Sequence, residues 1–287
     1  MKLADPPWEA ATRPEPSAAH SAARTRRHFA AMRGWPRWPL GVAVVMTALV
    51  MWEMTTRSGW VDPLFLPSPE SVMSQLYLLS TDGFEDATLL SHLGWSVTRV
   101  LAAFGLAVVT AVPIGALTAM SRTACAVLDP FIEFYRPLPP LAYLPLLVLW
   151  LGIGETSKIV LIYLAMFAPI VLNTRAGVQS IPIEQIRAAC SLGATRRQLL
   201  QHVMAPGALP STLTGMRIAM GFGWTTLVAA EMVAATAGLG FMVHGAAKFM
   251  ATDVVIAGIL AIGCVGLLFD LCMRGIEGRW ASWKRYT

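Results

Sequence analysis

The sequence from Val97 to Met120 reads VTRVLAAFGLAVVTAVPIGALTAM, and Arg99 is its only charged residue. An α-helix needs about 20 predominantly apolar residues to cross the roughly 30 Å hydrocarbon core of a lipid bilayer. The stretch meets that length, and its single cation lies near one end. We therefore predict that residues 97–120 form a membrane-spanning helix, and this prediction sets the class of fold.

The composition of the whole chain fits the same class. Of its 287 residues, 55% are hydrophobic and only 14% are charged, whereas soluble domains carry about 25% charged residues. The net charge is +5, but the basic residues lie at the ends of apolar runs, as they do in membrane proteins. We therefore expect a lipid bilayer as the environment and no nucleic acid as a partner.

Five further apolar runs accompany the first one. The six predicted spans are Trp38–Met54, Val97–Met120, Leu138–Leu151, Ile159–Leu172, Leu213–Ala235 and Val254–Met273, the third of them short and broken by Pro145. The sequence thus predicts an all-α integral membrane fold with about six transmembrane helices. We expect residues 38–280 to form the membrane domain, residues 1–37 a disordered, basic cytoplasmic extension, and residues 281–287 a cytoplasmic tail.

Arginine and lysine give the orientation, because loops on the cytoplasmic side of a membrane are enriched in both. If the N-terminus is cytoplasmic, the outer loops hold only Arg57, Lys158 and Lys248. The basic residues of the inner segments are then Arg24, Arg26, Arg27, Arg33, Arg37, Arg122, Arg136, Arg175, Arg187, Arg196, Arg197, Arg217, Arg274, Arg279, Lys284 and Arg285. We therefore expect both termini in the cytoplasm.

The loop between the fourth and fifth predicted spans has helical signals of its own. From Ser180 to Pro210 it reads SIPIEQIRAACSLGATRRQLLQHVMAPGALP. Gly193 is placed to end a first short helix as a left-handed cap. Thr195, with Gln198 three residues later, predicts a capping box at the start of a second helix, which Pro206 is expected to stop. We call residues 180–206 the docking segment.

Two features of the docking segment are not required in a loop that only connects two spans. Arg196 and Arg197 lie at a predicted helix N-terminus, where the helix dipole disfavours cations, so another partner is expected to compensate. Ala188 and Ala189 are small, so a second surface can approach the backbone closely. These features favour a helix that docks on another protein. The residues alone leave open an amphipathic hairpin that lies on the membrane surface.

The docking segment also resembles a known signature. Its pattern of Ala188-Ala189, Gly193-Ala194 and Val203-x-x-Pro206 is similar to the coupling loop of ABC importer permeases, in which an E-A-A triplet precedes a glycine and then I-x-L-P. Arg187 occupies the position of the glutamate, and Ala205 that of the leucine. Glu184, one turn away, is a substitute for the missing carboxylate. Residues 136–159 and 223–253 resemble the taurine and alkanesulfonate branch of the same family.

The resemblance implies a type I ABC importer permease that acts as a homodimer and imports taurine or a related sulfonate. It implies two separate ATPase subunits that bind ATP and Mg, and a periplasmic substrate-binding protein; this chain is expected to bind no cofactor and to hydrolyse nothing. The resemblance also implies a location in the inner membrane of a bacterium. The alternative is the same machine for another small anion, such as an alkanesulfonate or nitrate. The implied ATPase-docking residues are Glu184, Arg187, Ala188, Ala189, Gly193, Ala194, Arg196 and Arg197.

Four polar residues within apolar runs are candidates for the translocation path. Glu231 is the acidic residue most clearly inside such a run, where a carboxylate is costly and marks a functional site by default. A structural ion pair, or a wet position near the outer surface, is the alternative for Glu231. Asn173, Thr225 and Thr226 either form hydrogen bonds between helices or line the path.

Other classes of function lack their signatures. The five histidines share no metal-ligand spacing, so we expect no metal site and no catalytic residue. The sequence has no G-x-x-x-x-G-K-[ST] phosphate loop, which means that a pump of this kind takes its ATPase from another chain. A secondary transporter is expected to show an inverted repeat, and an integral membrane enzyme clustered His, Asp or Glu; neither pattern occurs in the sequence.

Overall fold

The structure, a computed structural model, describes residues 38–85 and 87–280. The predicted extension 1–37 and tail 281–287 lie outside these residues. The chain divides into two units at Ser58. In the first unit, helix α1 (Trp38–Arg57) exposes every apolar side chain from Leu40 to Met51, as a lipid-facing helix does.

The second unit is helical, and its described residues contain an isolated β-bridge between Phe84 and Ala87 but no strand. Its longer helices are α2 (Pro69–Thr81), α3 (Leu89–Met120), α4 (Arg122–Tyr135), α5 (Leu144–Leu151), α6 (Glu155–Gln179), α7 (Ile183–Ser191), α8 (Arg196–Leu199), α9 (Ala205–Ala234), α10 (Leu239–Lys248) and α11 (Thr252–Trp280). A 3₁₀ turn (Pro140–Tyr143) precedes α5, and a π turn (Leu200–Met204) joins α8 to α9.

Small residues form the core contacts between the long helices. On α3, Ala103, Ala107, Ala111 and Gly115 recur at every fourth position, and all are buried. This spacing places them on one face of the helix, which packs on α6. A Cβ on Gly115 would lie 2.6 Å from the carbonyl oxygen of Val171. Such close approach of backbones is how helices associate in a membrane, where lipid offers no hydrophobic driving force between them.

Helices α3 and α6 run parallel. Arg99, in the first third of α3, contacts Glu155 at the start of α6, and Gly115, near the end of α3, packs on Thr174 near the end of α6. The intervening residues 121–154 must therefore return across the thickness of the unit. They do so in α4 and α5, which the segment from Arg136 to Pro139 separates.

The prediction of a single third span over Leu138–Leu151 is wrong. The helical part of this stretch, from Pro140 to Leu151, is too short to cross a bilayer, and Pro145 does not break it but lies in the first turn of α5. The crossing begins instead in α4, where Asp129 and Glu133 lower the hydropathy that the sequence prediction relied on.

The remaining predicted spans coincide with helices. Among the described residues, α1, α3, α6 and α11 are each long and apolar enough to cross a membrane. The helix from Arg196 to Ala234, bent by 49° into α10, makes a fifth span. The four single helices, the bent pair and the crossing shared by α4 and α5 give six passes among the described residues, in agreement with the predicted all-α membrane fold.

The prediction that Pro206 ends a helix is also wrong. The chain stays helical from α8 into α9, and Pro206 lies in the first turn of α9. Proline has no N–H to donate and disrupts the ordinary ladder of hydrogen bonds. The π turn accommodates it, because the N–H of Ala205 bonds to the carbonyl of Leu200, five residues back.

Candidate functional site

The docking segment folds as two short helices around Gly193. Gly193 has a φ of 80°, a left-handed conformation that side chains other than glycine adopt at a cost. Its N–H donates to the carbonyl of Cys190 at 3.0 Å, and the N–H of Ala194 donates to Ala189 at 3.1 Å. The predicted left-handed cap is confirmed.

The second helix of the docking segment begins at the predicted capping box. The N–H of Thr195 donates to Oε1 of Gln198 at 2.9 Å, and the N–H of Gln198 donates to the Thr195 hydroxyl at 3.4 Å. Below the box, Ile186 and Leu199 pack on a buried cluster formed by Val178, Ile181, Met204 and Ala208. The docking segment is therefore anchored on the ends of α6 and α9; we call this end of the unit the docking end.

The outer face of the docking segment is apolar at its tip and basic around it. Leu192, beside Gly193, is 89% exposed, and Ile183 is 49% exposed. Five of the predicted docking residues with charged or small side chains are also exposed, namely Glu184, Arg187, Ala188, Arg196 and Arg197, while Ala189 and Ala194 are half-buried. An exposed apolar tip with a charged rim is the composition of a protein-binding surface.

Glu231 lies at the opposite end of the unit and is 1% exposed. It belongs to an ion cluster with the buried Arg99 and Lys158 and the partly exposed Glu155. Its carboxylate accepts hydrogen bonds from Nη1 of Arg99 at 2.7 Å and from the hydroxyl of Ser96 at 2.8 Å. Nη2 of Arg99 and Nζ of Lys158 donate to Oε1 of Glu155 at 2.9 and 2.7 Å. The cluster contains two cations and two anions, so its charges balance within the fold.

The backbone also satisfies the Glu231 carboxylate. The N–H of Gly240, in the first turn of α10, donates to Oε2 of Glu231 at 2.9 Å. A helix N-terminus favours a negative charge because its N–H groups are free to donate. Gly238 begins this turn, and a Cβ there would lie 2.4 Å from the carboxylate. This geometry fits the alternative interpretation of Glu231 as a structural ion pair.

Sequence reasoning missed the role of Arg99. It is 2% exposed and links three elements, since it also donates to the carbonyl of Ala237 at 2.6 Å. The sequence does contain a signal for this ion pair, because Arg99 and Glu231 are isolated opposite charges in two apolar runs. Charges within membrane segments commonly pair with one another.

The structure does not bring the four path candidates together. Asn173 on α6 lines a cavity, whereas Thr225 on α9 is exposed and its hydroxyl donates to the carbonyl of Phe222 in its own helix at 2.9 Å. Thr226 and Glu231 are buried at other positions along α9. Of the four path candidates, Asn173 is therefore the one that lines this cavity.

We call this volume, of about 480 Å³, the central cavity. It lies between the segment that separates α4 from α5 and the facing sides of α6 and α9. Prolines 137, 139 and 140 form one wall, and Phe222 of α9 contributes to another. The polar side chains that line it belong to Arg136, Tyr143 and Asn173, together with Tyr135.

The central cavity lies midway across the membrane unit. The hydroxyl of Tyr135 donates to the carbonyl of Leu164 and accepts from the N–H of Ala168 at 3.3 Å. Both positions are in the middle of the 25-residue helix α6. The neighbouring Arg136 therefore lies at mid-depth, and its predicted position in an inner loop is wrong.

No group of three or more His, Cys, Asp or Glu among the residues that the structure describes is placed to hold a metal ion. All four cysteines are free.

Comparison with known proteins identifies the family. The family model of binding-protein-dependent transport system inner membrane components matches residues 111–282. The chain is 50% identical over 254 residues to the taurine transport system permease protein TauC of Escherichia coli (strain K12), covering 86% of this chain and 92% of that protein. It is 35% identical over 247 residues to the putative aliphatic sulfonates transport permease protein SsuC of the same organism, covering 86% and 91%.

A solved structure shows the same fold. An inward-facing conformation of the MetNI methionine ABC transporter superposes with a TM-score of 0.59 at 19% identity, covering 67% of this chain and 95% of that one. The helices that carry the docking segment and the central cavity thus have the architecture of a type I ABC importer permease. The chain belongs to the family of binding-protein-dependent transport system inner membrane components and is a multi-pass permease subunit of an ABC importer.

Proposed function

We propose that this permease subunit imports taurine or a closely related aliphatic sulfonate. The observation that carries the proposal is the 50% identity to the taurine permease TauC, which extends over 92% of that protein. Identity to the sulfonate permease SsuC is lower, at 35%. The proposed substrate is therefore a small organic anion with a sulfonate group.

The proposed complex contains two copies of this chain, two ATPase subunits that bind ATP and Mg, and a periplasmic binding protein that delivers the substrate. In this complex the docking segment contacts the ATPase. Exposed Leu192 and Ile183 supply the apolar contact, and Arg187, Arg196 and Arg197 supply charges for acidic groups of the partner. Glu184 and the small Ala188 and Ala189 lie on the same segment, and Gly193 with Ala194 forms its turn.

The proposed coupling uses the continuity of the helix from Arg196 to Ala234. One end of this helix belongs to the docking segment, and Phe222, further along it, lines the central cavity. Packed helices transmit displacement because protein interiors are close-packed. Movement of the ATPase against the docking segment is thereby carried to the cavity without an intervening flexible loop.

The proposed orientation has the docking end and both termini in the cytoplasm. Arg175 and Arg217 lie within membrane helices, and Arg136 lies at the cavity, so these three do not count as loop residues. The docking end still carries Arg122, Arg187, Arg196 and Arg197. Lys248 and the buried Lys158 lie at the other end of the unit, so the arginine bias favours a cytoplasmic docking end.

Uptake of labelled taurine by cells with and without the gene tests the proposal. We expect uptake to require the gene and to fall when unlabelled taurine or short alkanesulfonates are added, whereas nitrate has no effect. Unchanged taurine uptake in the deleted strain would contradict the proposed substrate. Gene-dependent uptake of a labelled alkanesulfonate, without gene-dependent uptake of taurine, would support the second candidate, an alkanesulfonate importer, which the 35% identity to SsuC favours.

A further inference from the structure

Arg136 presents a charge in an unusual place. It follows Tyr135, whose hydroxyl bonds to the middle of α6, so it lies about halfway across the membrane unit. Its side chain is nevertheless 59% exposed in the single subunit. The nearest carboxylate, that of Glu133, is 3.7 Å away and 60% exposed, so the pair is long and open.

An exposed charge at this depth cannot face lipid at low cost. Ionisable residues in membrane segments face the protein interior or a water-filled cavity, and they mark the pathways of substrates. Arg136 lines the central cavity, whereas Glu133 does not. The guanidinium is therefore available to a ligand inside the cavity.

The rest of the cavity wall suits a small organic anion. Its volume of about 480 Å³ lies in the range of small-molecule sites. Prolines and the rings of Tyr143 and Phe222 make most of the wall apolar, and an electrostatic attraction is stronger there than in bulk water. A guanidinium donates two parallel hydrogen bonds to oxygens of one anionic group, and a sulfonate offers three such oxygens.

Asn173 lines the same cavity and has a hydrogen-bond acceptor that is available to a ligand. Its Nδ2 donates to the carbonyl of Pro169 at 2.8 Å, which leaves the side-chain carbonyl oxygen for another donor. An amino group at the far end of a short sulfonate is a donor of that kind. The two polar ends of an aminosulfonate thus correspond to Arg136 and Asn173 across an apolar wall.

We propose that Arg136 is a substrate-binding residue of the translocation path, where its guanidinium binds the sulfonate group at mid-membrane. Asn173 accepts from the amino end of the substrate when one is present. The inference rests on the proposed function for the identity of the anion, but the role of Arg136 applies to any small anion that the permease carries.

The test uses the complete transporter in proteoliposomes, with its ATPase and binding protein, and measures uptake of labelled taurine. We expect Arg136→Gln to lower the uptake rate about tenfold or more, because a charged hydrogen bond is lost, and Arg136→Lys to lower it less. Arg274→Gln is the matched control, since Arg274 is 60% exposed on α11 and far from the cavity. Co-purification of the ATPase with each variant checks that it is folded and assembled.

Chemical rescue separates a charge effect from a structural one. Treatment of Arg136→Cys with 2-aminoethyl methanethiosulfonate places a cation at the site, and 2-sulfonatoethyl methanethiosulfonate places an anion there. Recovery of uptake with the cation only supports the inference, with the treated wild-type chain as a control for its own four cysteines. Wild-type uptake by Arg136→Gln, or equal recovery with both reagents, overturns it.

The same experiment distinguishes this inference from the proposed function. If the wild-type transporter carries no taurine but carries another anion, the proposed substrate is wrong. The Arg136→Gln variant is then assayed with that anion. A loss of its transport still supports Arg136 as the binding residue, and unaltered transport contradicts it.

Discussion

Replacement of Arg99 by methionine removes the residue that holds the ion cluster together. The side chain of Arg99 is 2% exposed and bonds to both Glu155 and Glu231. In the variant, Glu231 keeps the hydroxyl of Ser96 and the N–H of Gly240 as donors, but it loses its only cation among the described residues.

The size of the effect follows from burial. Removing one partner of a buried ion pair costs about 3–5 kcal/mol of the free energy of unfolding, because the other charge stays buried and uncompensated. Glu155 moderates the loss, since it is 43% exposed and retains Lys158 at 2.7 Å. We therefore expect the low end of this range, about 3 kcal/mol.

The assay is the midpoint of thermal unfolding in detergent, followed by loss of the monodisperse peak in size-exclusion chromatography. A loss of about 3 kcal/mol lowers the midpoint by about 5 °C or more. Arg57→Met is the matched control, because Arg57 pairs with Glu53 on the exposed surface of α1, where an ion pair contributes at most about 1 kcal/mol. Equal midpoints for the two variants would refute the reasoning.

A second substitution tests the mechanism of this loss. When Glu231→Leu is added to Arg99→Met, the unpaired buried carboxylate disappears, so part of the lost stability should return. A double variant that is no more stable than Arg99→Met alone would contradict the account of an uncompensated charge.

Two further predictions concern helix packing and docking. Gly115→Leu should destabilise the unit by about 1–3 kcal/mol through overpacking, since a Cβ there meets Val171 at 2.6 Å. Gly105→Leu, on the same helix with nothing within 4 Å, should not shift the unfolding midpoint, and similar shifts for both would count against the close α3–α6 contact. Leu192→Asp should reduce crosslinking of the exposed Cys190 to the ATPase about tenfold without changing thermal stability, because it places a charge at the centre of an apolar contact. Ser191→Asp is the control for added charge, and undiminished crosslinking of Leu192→Asp would show that the tip of the docking segment does not touch the ATPase.

Local features of the docking segment followed directly from the sequence. The cap at Gly193 and the box between Thr195 and Gln198 involve residues three to five positions apart, so local chemistry decides them. The effect of Pro206 was harder to predict, because whether a proline ends a helix depends on the turn before it. The π turn from Leu200 to Met204 kept this helix continuous.

Contacts between residues far apart in the sequence, and the third membrane crossing, could not be predicted in the same way. Arg99 and Glu231 are 132 positions apart, and their contact depends on how three helices pack. The third crossing was hidden because α4 carries Asp129 and Glu133, and Asp129 is balanced by Arg175 of α6 at 2.5 Å. The position of Arg136 halfway across the membrane unit depends on that crossing, so it could not be predicted from the sequence.

The most direct test of the central claim is ATP-driven taurine accumulation by the purified permease. The chain is reconstituted with its ATPase in proteoliposomes that enclose ATP and Mg, and taurine and the binding protein are added outside. We predict accumulation inside the vesicles that requires ATP, the ATPase and the binding protein together. Taurine entry that proceeds equally without ATP or without the ATPase would contradict the assignment of this chain as an importer permease driven by a separate ATPase.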